Sequence, residues 1–329
     1  MQASNAVFGG FKENASEGGL PASQQSSRVC AYARVCFIAP CQINYLIKNP
    51  RKNAQVSETF RTFAFDKRRL GMNSNYIQSF FVKGLWDEKD VCWENINPDM
   101  NILVGINGSG KTTLMNIMYA YYCDEKAMKK MKYTNVHAIP ALNQWEQPEM
   151  VYIRSLDVPT RRKDESPLLQ ELESAVFQNK KSLSFFSYRM KMIDYPERYE
   201  EIKTNIASFQ QLVNQMFAET GKTMVVKNSQ MMFETSKSNI CELKDLSSGE
   251  KQLLLILLRV FLLEKKQAVI FMDEPEVSLH IGWQQQLLDV LVKLNPNAQF
   301  FVTTHSPSMF GRGWGDKVVY MEDIVKNAE

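Results

Sequence analysis

The sequence predicts an α/β fold organised around a mostly parallel central sheet. Three observations carry this. Short apolar runs bounded by turn residues alternate with amphipathic helical stretches. One such run, NILV at 101–104, leads into a glycine-rich loop and then a helix. Another, AVIFM at 268–272, ends on two acids, Asp273 and Glu274. Parallel strands of one sheet bring such ends to a single crevice.

The elements follow in order. Residues 1–27 are rich in Ala, Ser, Gly, Asn and Gln, with little to bury, which predicts disorder; 28–71 have no regular pattern. Sixteen of the 17 methionines lie at or after Met72. We therefore expect 1–71 to be a poorly ordered basic extension, and a natural start at Met72 would produce the same contrast. Within 72–329, strands are expected at Ile77–Val82, around Val91–Trp93 and at 101–104, and a helix from Thr112 to Tyr122. EMVYIRS, at 149–155, reads as a strand. A helical subdomain is expected at about 156–222. There Ser166 caps a helix with Pro167 at its first position, and a second helix of about 24 residues runs from about Pro196 to Thr220. Its apolar face is Tyr199, Ile202, Ile206, Phe209, Val213, Met216 and Phe217, and Gly221 is its C-cap. MVV (224–226) and MMFET (231–235) around Lys227–Gln230 read as a hairpin, an antiparallel element beside the parallel sheet. LSSGEKQLLLILL follows as a helix, then strands at 268–272 and 299–304. No internal repeat is present.

Bulk properties exclude several classes. With 44% hydrophobic and 23% charged residues in 329, the chain buries a substantial core. No apolar run reaches the roughly 18 residues of a membrane span; 253–263 is interrupted by Arg259. The weakly apolar stretch 28–47 contains arginines and lies too far in for a signal peptide. The six cysteines show neither secretory pairing nor a CxxC pattern, and Cys30, Cys36 and Cys41 cluster without a fourth zinc ligand. A cytoplasmic protein is expected. Residues 1–71 hold 10 Lys/Arg against 4 Asp/Glu, and the remainder 29 against 32; a basic tail of this kind suits nucleic acid or an acidic surface.

GINGSGKT, at 105–112, matches GxxxxGK[ST] in full, with an apolar strand before it and a helix after it. Glycines let the backbone turn so that successive N–H groups, with the helix N-terminus behind them, face phosphate oxygens. In such a loop Lys111 reaches the β- and γ-phosphates and Thr112 offers its hydroxyl to Mg²⁺. A second GKT, at 221–223, lacks the preceding glycine and reads as a helix cap. At the end of 268–272, Asp273 suits a Mg²⁺-holding carboxylate and Glu274 a base beside it. In LSSGEKQ, Ser247 with Glu250 three residues on is a capping box.

GINGSGKTT, LSSGEKQ, FMDEPEVSLH and VTTHSP, in that order, resemble the P-loop, signature, Walker B with D-loop and switch histidine of ABC-type ATPases. The resemblance spans most of 105–307 and leaves 1–71 unexplained. It implies an ABC-ATPase-like head of the P-loop NTPase fold. It also implies that ATP binds at Asn107, Gly108, Ser109, Gly110, Lys111, Thr112 and Thr113. Thr112 and Asp273 would then hold Mg²⁺, Glu274 and His305 would be catalytic, and Ser247, Ser248 and Gly249 would cap the ATP of a second subunit in an ATP-dependent homodimer. EVSLH, in place of a transporter-like D-loop, and Asn107 are closer to the branch containing RecF, SMC proteins and OLD nucleases. The nearest likeness is to small AAA-type, AbiEii-like ATPases related to OLD proteins, many from phage-defence systems. Two departures matter. Only about 120 residues separate P-loop and signature, too few for an SMC coiled coil, and 24 residues follow His305, too few for a Toprim nuclease. Trp86 is a candidate for stacking on adenine. Gln144 and Gln147 are candidates for the glutamine that, in this family, contacts the γ-phosphate.

The implied function is an ATP-hydrolysing switch that closes around two ATP and acts on DNA or on a separately encoded effector such as a nuclease. The alternative is the ATP-binding subunit of an ABC membrane transporter, and a third reading is an ATP-binding scaffold with little turnover.

Overall fold

The computed structural model describes residues 76–85, 89–131, 135–141, 147–154, 166–177, 183–227 and 230–327. The expectations for 1–71, Trp86 and Gln144 lie outside them. In chain order the elements are β1 (Ser79–Leu85), β2 (Lys89–Trp93), β3 (Met100–Val104), α1 (Lys111–Cys123), α2 (Glu125–Lys130), β4 (Val136–Ile139), β5 (Glu149–Arg154), α3 (Pro167–Val176), α4 (Phe185–Asp194) and α5 (Tyr199–Met216). They continue with β6 (Lys222–Lys227), β7 (Gln230–Thr235), β8 (Ile240–Cys241), α6 (Ser248–Phe261), β9 (Ala268–Asp273), α7 (Ile281–Leu294), β10 (Ala298–Thr304), β11 (Val318–Tyr320), α8 (Met321–Ile324) and β12 (Val325–Asn327).

Five strands form a central sheet in the order β11-β3-β10-β9-β5, and every pairing is parallel. A four-stranded antiparallel sheet, β12-β2-β1-β4, and a three-stranded one, β6-β7-β8, stand beside it. This is the α/β P-loop NTPase architecture the sequence predicts.

Side chains alternate across a strand, so a sheet buried on both faces needs apolar residues at every position. Apart from buried Asn101 and Gln299 and the polar residues at the strand ends, β3, β9 and β10 follow this and divide the core in two. Met100, Ile102, Ile270, Met272, Phe300 and Val302 face one cluster, which also contains the apolar sides of α3, α5, α6 and α7. Leu103, Val269, Phe271 and Phe301 face the other, where Leu114, Ile117 and Met118 of α1 meet Phe80, Val82, Val91 and Trp93 of the antiparallel sheet. Trp93 meets Phe301 edge-on at 5.5 Å. Buried Gln299 ties the sheets together: Oε1 accepts from the Ile77 N–H, and Nε2 donates to the carbonyls of Ile77 and Asn97.

Several boundaries differ from expectation. The long helix is α5, 18 residues, with 3-10 turns at Pro196–Arg198 and Ala218–Thr220; Pro196 and Gly221 (φ 65°) bound these turns rather than the helix. At about 1.5 Å per residue, α5 is about 27 Å long and not 36 Å. Ser166 stands at the N-cap of α3, but its side chain makes no capping hydrogen bond.

Candidate functional site

The loop between β3 and α1 turns through Gly108 (φ 79°) and Gly110 (φ 100°), both in the left-handed region that favours glycine. A Cβ at Gly105 would lie 2.7 Å from Ser109 Oγ and about 3.1 Å from Met321, so a larger residue there would displace the Ser109 hydroxyl. Gly110 is the N-cap of α1. Neither a side-chain cap nor a first-turn acid blocks this helix end, so its leading N–H groups are available to an anion. Asn107 and Gly108 are exposed, and Ser109 and Thr113 are partly buried. Lys111 is buried, and its ammonium donates to the carbonyls of Gly105 (3.0 Å) and Ile106 (3.3 Å). Burial holds its pKa below the ordinary lysine value, while the carboxylates of Glu274, Asp273, Glu276 and Glu322 pull the other way.

Beside the loop, Asp273 ends β9. Its Oδ1 accepts from the hydroxyls of Thr112 (3.0 Å) and Thr303 (2.6 Å). Glu274, at φ 47°, sits in a backbone region that costs a non-glycine residue about 1–3 kcal/mol. Two hydrogen bonds hold it there, from its N–H to the carbonyl (3.1 Å) and the hydroxyl (3.0 Å) of Thr303. Its carboxylate is 3.3 Å from His305 Nε2, and both side chains remain more than a third exposed. Glu276 fixes the His305 turn: its Oε1 accepts from Thr304 Oγ1 (2.6 Å) and the His305 N–H (2.8 Å). Lys111, Thr112, Asp273, Glu274 and His305 thus converge at the C-terminal ends of neighbouring parallel strands.

Ser247, Ser248 and Gly249 are elsewhere. Ser247 is the N-cap of α6, with its Oγ accepting from the Glu250 N–H (3.2 Å) and its own N–H donating to Glu250 Oε2 (2.7 Å), the expected capping box. The same Oε2 accepts from Lys222 Nζ at 2.6 Å, so the first-turn carboxylate is neutralised within the chain. Burial works to raise the pKa of Glu250, but Lys222, the Ser247 N–H and Thr220 outweigh it and the net shift is downward. A Cβ on Gly249 would lie 2.3 Å from the Ser278 carbonyl oxygen, so this glycine has a reason inside its own chain. Ser247, Gly249, Ser278, His280 and Trp283 line a cleft of about 560 Å³. The α6 core residues belong to one cluster and those of α1 to the other, so the two helices pack on opposite faces of the central sheet.

Thr303 and Glu276, which orient the acids and the histidine, escaped the sequence reading; their only signal was proximity to Asp273 and His305. Gln147 is not at the site, since it donates to the Tyr122 carbonyl at the far end of α1. The residues fit a Mg²⁺ ion carried by a nucleotide. A hydroxyl and a carboxylate oxygen lie side by side at Thr112 and Asp273, and this cation is held by one or two carboxylates together with phosphates rather than by an all-protein cage. Among the described residues no three His, Cys, Asp or Glu side chains converge as such a cage.

Residues 154–310 match the AAA ATPase domain family, a span that includes Ser247–Gly249, Asp273, Glu274 and His305 and begins after the glycine-rich loop. Similar solved structures include an SMC head bound to the C-winged helix domain of ScpA (13% identity, 77% of this chain and 97% of that one, TM-score 0.49). Others are the SMC head domain from Thermotoga maritima (13%, 71% and 91%, 0.41) and a nucleotide-free ATP-binding cassette from an ABC transporter (16%, 77% and 92%, 0.38). No curated protein matches. With a glycine-rich loop opening an uncapped helix and an ATPase domain match around the facing acids, the chain is an ATPase. Among the described residues no helix is long and apolar enough to cross a membrane.

Proposed function

We propose that the protein is an ATP-driven switch that closes as a homodimer around two ATP and acts on DNA or on a separate effector. In this reading it is a cytoplasmic member of the RecF/SMC/OLD-like branch, of the DNA-repair or phage-defence type. Residues 72–329 are the ATPase domain, with a helical subdomain inserted at about 156–222, and 1–71 are a basic extension.

The chemistry assigned to each group follows from its surroundings. Backbone N–H groups from Asn107 to Thr113 bind the phosphates, and Lys111 exchanges the two loop carbonyls for phosphate oxygens, which are stronger acceptors for a cation. Thr112 and Asp273 hold Mg²⁺, which supplies charge neutralisation for the phosphates. Glu274 accepts the proton of the attacking water, and His305, whose Nε2 lies 3.3 Å from that carboxylate, orients it and contacts the terminal phosphate. Thr303 and Glu276 position these groups without touching the substrate.

One observation supports dimerisation. Ser247 and Gly249 start a helix on the opposite face of the central sheet from α1. Among the described residues no hydrogen bond or ion pair joins that helix start to the loop of its own chain, whereas a two-fold partner would bring it to the other copy's ATP. The Ser247 hydroxyl accepts within the capping box and still has a proton to donate.

The test is light scattering of the full chain with ATP or ADP, in a Glu274→Gln background that removes the base. A closed dimer is expected with ATP alone, and Ser247→Arg should block closure while ATP stays bound. Lys111→Ala should weaken nucleotide binding itself. A Glu274→Gln protein that is saturated with ATP yet monomeric across the micromolar range ends the composite-site reading. Undiminished turnover in that protein removes Glu274 from the role of base.

A further inference from the structure

The last residue of β5, Arg154, pairs in register with Asp273 of β9. Side chains two apart on a strand share a face. Tyr152 packs against the α1-side cluster, so Arg154 stands on that face too, next to the acid that takes the Thr112 hydroxyl. Its guanidinium donates to Asn116 Oδ1 at 3.3 Å and lies 4.8 Å from the centroid of the Tyr152 ring. Asn116 is one turn beyond Thr112 on α1, which puts the guanidinium on the side of the helix that faces the site.

Three features distinguish this arginine from a surface clamp. Among the described residues it forms no ion pair, as is also true of Arg189 and Arg312, whereas Arg198 and Arg259 each hold a carboxylate. Its one hydrogen bond is long, exposed and made to a neutral amide, a weak hold on a group with five donors. Finally, the Tyr152 hydroxyl beneath it is buried without a partner. Burial first, and then the Asp273 charge, push the pKa of this hydroxyl up, while Arg154 opposes them, so acid and guanidinium both act on one atom.

The charge around the loop gives the arginine a purpose. Four carboxylates act on Lys111, and a triphosphate adds more negative charge. Beside the loop N–H groups, Lys111, His305 and one divalent cation, the outermost phosphate still faces the carboxylates of Asp273 and Glu274, and a further cation there would offset the repulsion. A planar guanidinium beside Asp273 offers paired donors of the geometry phosphate prefers.

We propose that Arg154 leaves Asn116 on nucleotide binding and contacts the terminal phosphate of ATP, so that it distinguishes ATP from ADP. This rests on the ATP site described above and adds a residue to it. Neither Gln144 nor Gln147 is required for that contact.

The experiment is calorimetric titration of the full chain, in magnesium, with a non-hydrolysable ATP analogue and with ADP. Wild type, Arg154→Ala, Arg154→Lys and Asn116→Ala are compared, with a melting temperature for each. Arg154→Ala is expected to lose about tenfold to a hundredfold in affinity for the ATP analogue, the range for one charge-assisted hydrogen-bonding group, and no more than about twofold for ADP. Arg154→Lys should fall between, because it keeps the charge and loses the paired donors. Asn116→Ala should keep full affinity, since it removes only the resting partner. If Arg154→Ala weakens both nucleotides equally or neither, and its melting temperature drops as far as that of Asn116→Ala, Arg154 is a clamp between β5 and α1 and the proposal is overturned. Wild-type protein that binds neither nucleotide would instead overturn the ATP-site reading on which the proposal depends.

Discussion

Replacing Glu250 separates the intrachain role of the segment before α6 from its role between chains. Its Oε2 receives the Ser247 N–H at 2.7 Å and Lys222 Nζ at 2.6 Å, and the residue is 2% exposed. Glu250→Ala removes one acceptor from the capping box, worth about 1 kcal/mol. It also leaves the Lys222 ammonium without its counter-charge. Removing one partner of a fully buried ion pair costs about 3–5 kcal/mol. Lys222 is 18% exposed and reaches some water, so about 2–3 kcal/mol is the fitting share, and the whole effect is about 3–4 kcal/mol. Glu250→Gln keeps an acceptor for Ser247 and loses only the charge, so about 1–2 kcal/mol is expected. Lys222→Met should be costly in the wild-type chain and nearly neutral in Glu250→Ala. The assay is urea unfolding of wild type, the three single variants and the double variant by circular dichroism, with midpoints compared at constant m. Additive effects, with a coupling below about 0.5 kcal/mol, would refute the assigned link between α6 and β6.

Two other predictions concern the same region. Gly249→Ala gains about 1 kcal/mol of helix propensity but drives a methyl into the Ser278 carbonyl. That neighbour is backbone, with Ser278 itself at φ 65°, and has little freedom to yield. A net loss of about 1–2 kcal/mol is expected, read as a lower melting temperature without nucleotide; an unchanged or higher value would mean that the 278–280 turn moves freely. The second prediction concerns pH. The pKa of folded Glu250 lies below its unfolded value near 4.5, so its contribution is present above that value and is lost as pH falls through the folded pKa. Unfolding midpoints at pH 7, 5, 4 and 3.5 should fall more steeply for wild type than for Glu250→Gln, and parallel curves would remove Glu250 from the acid response.

What could be read from the sequence depended on how locally each feature is encoded. The glycine-rich loop, the capping box and the strands at 101–104, 268–272 and 299–304 carry their chemistry within a few residues, and the structure has them within about a residue of the expected bounds. The strands β4, β8, β11 and β12, of two to four residues, are too short to show a period and exist through their pairing. Helix α7 was not anticipated, although Trp283, Leu287, Leu288 and Leu291 have helical spacing. Its N-cap is His280, whose Nδ1 accepts from the Gly282 N–H, a less common cap than Ser or Asp. Lys222 was passed over because it belongs to the decoy GKT, and its carboxylate partner is 28 residues further on. Arg154 was hidden for a similar reason: its significance is a register with Asp273 that no local pattern encodes.

The strand order has a consequence for how the chain reaches its native state. Strands β3 and β5 are made early, yet in the finished sheet they are separated by β10 and β9, which are made much later. Until those two arrive, β3 and β5 have no neighbour in this sheet and their edges stay unpaired, the condition under which nascent chains misassociate. Pairings such as Ile102 with Val302 close loops of about 200 residues, and such non-local closure slows folding. The last two strands to wedge into the centre also bring Asp273, Glu274 and, just past the end of β10, His305. A partly assembled intermediate thus has its glycine-rich loop but lacks the acids opposite it. Acquisition of ATPase activity during refolding should coincide with the final cooperative step and have no earlier phase.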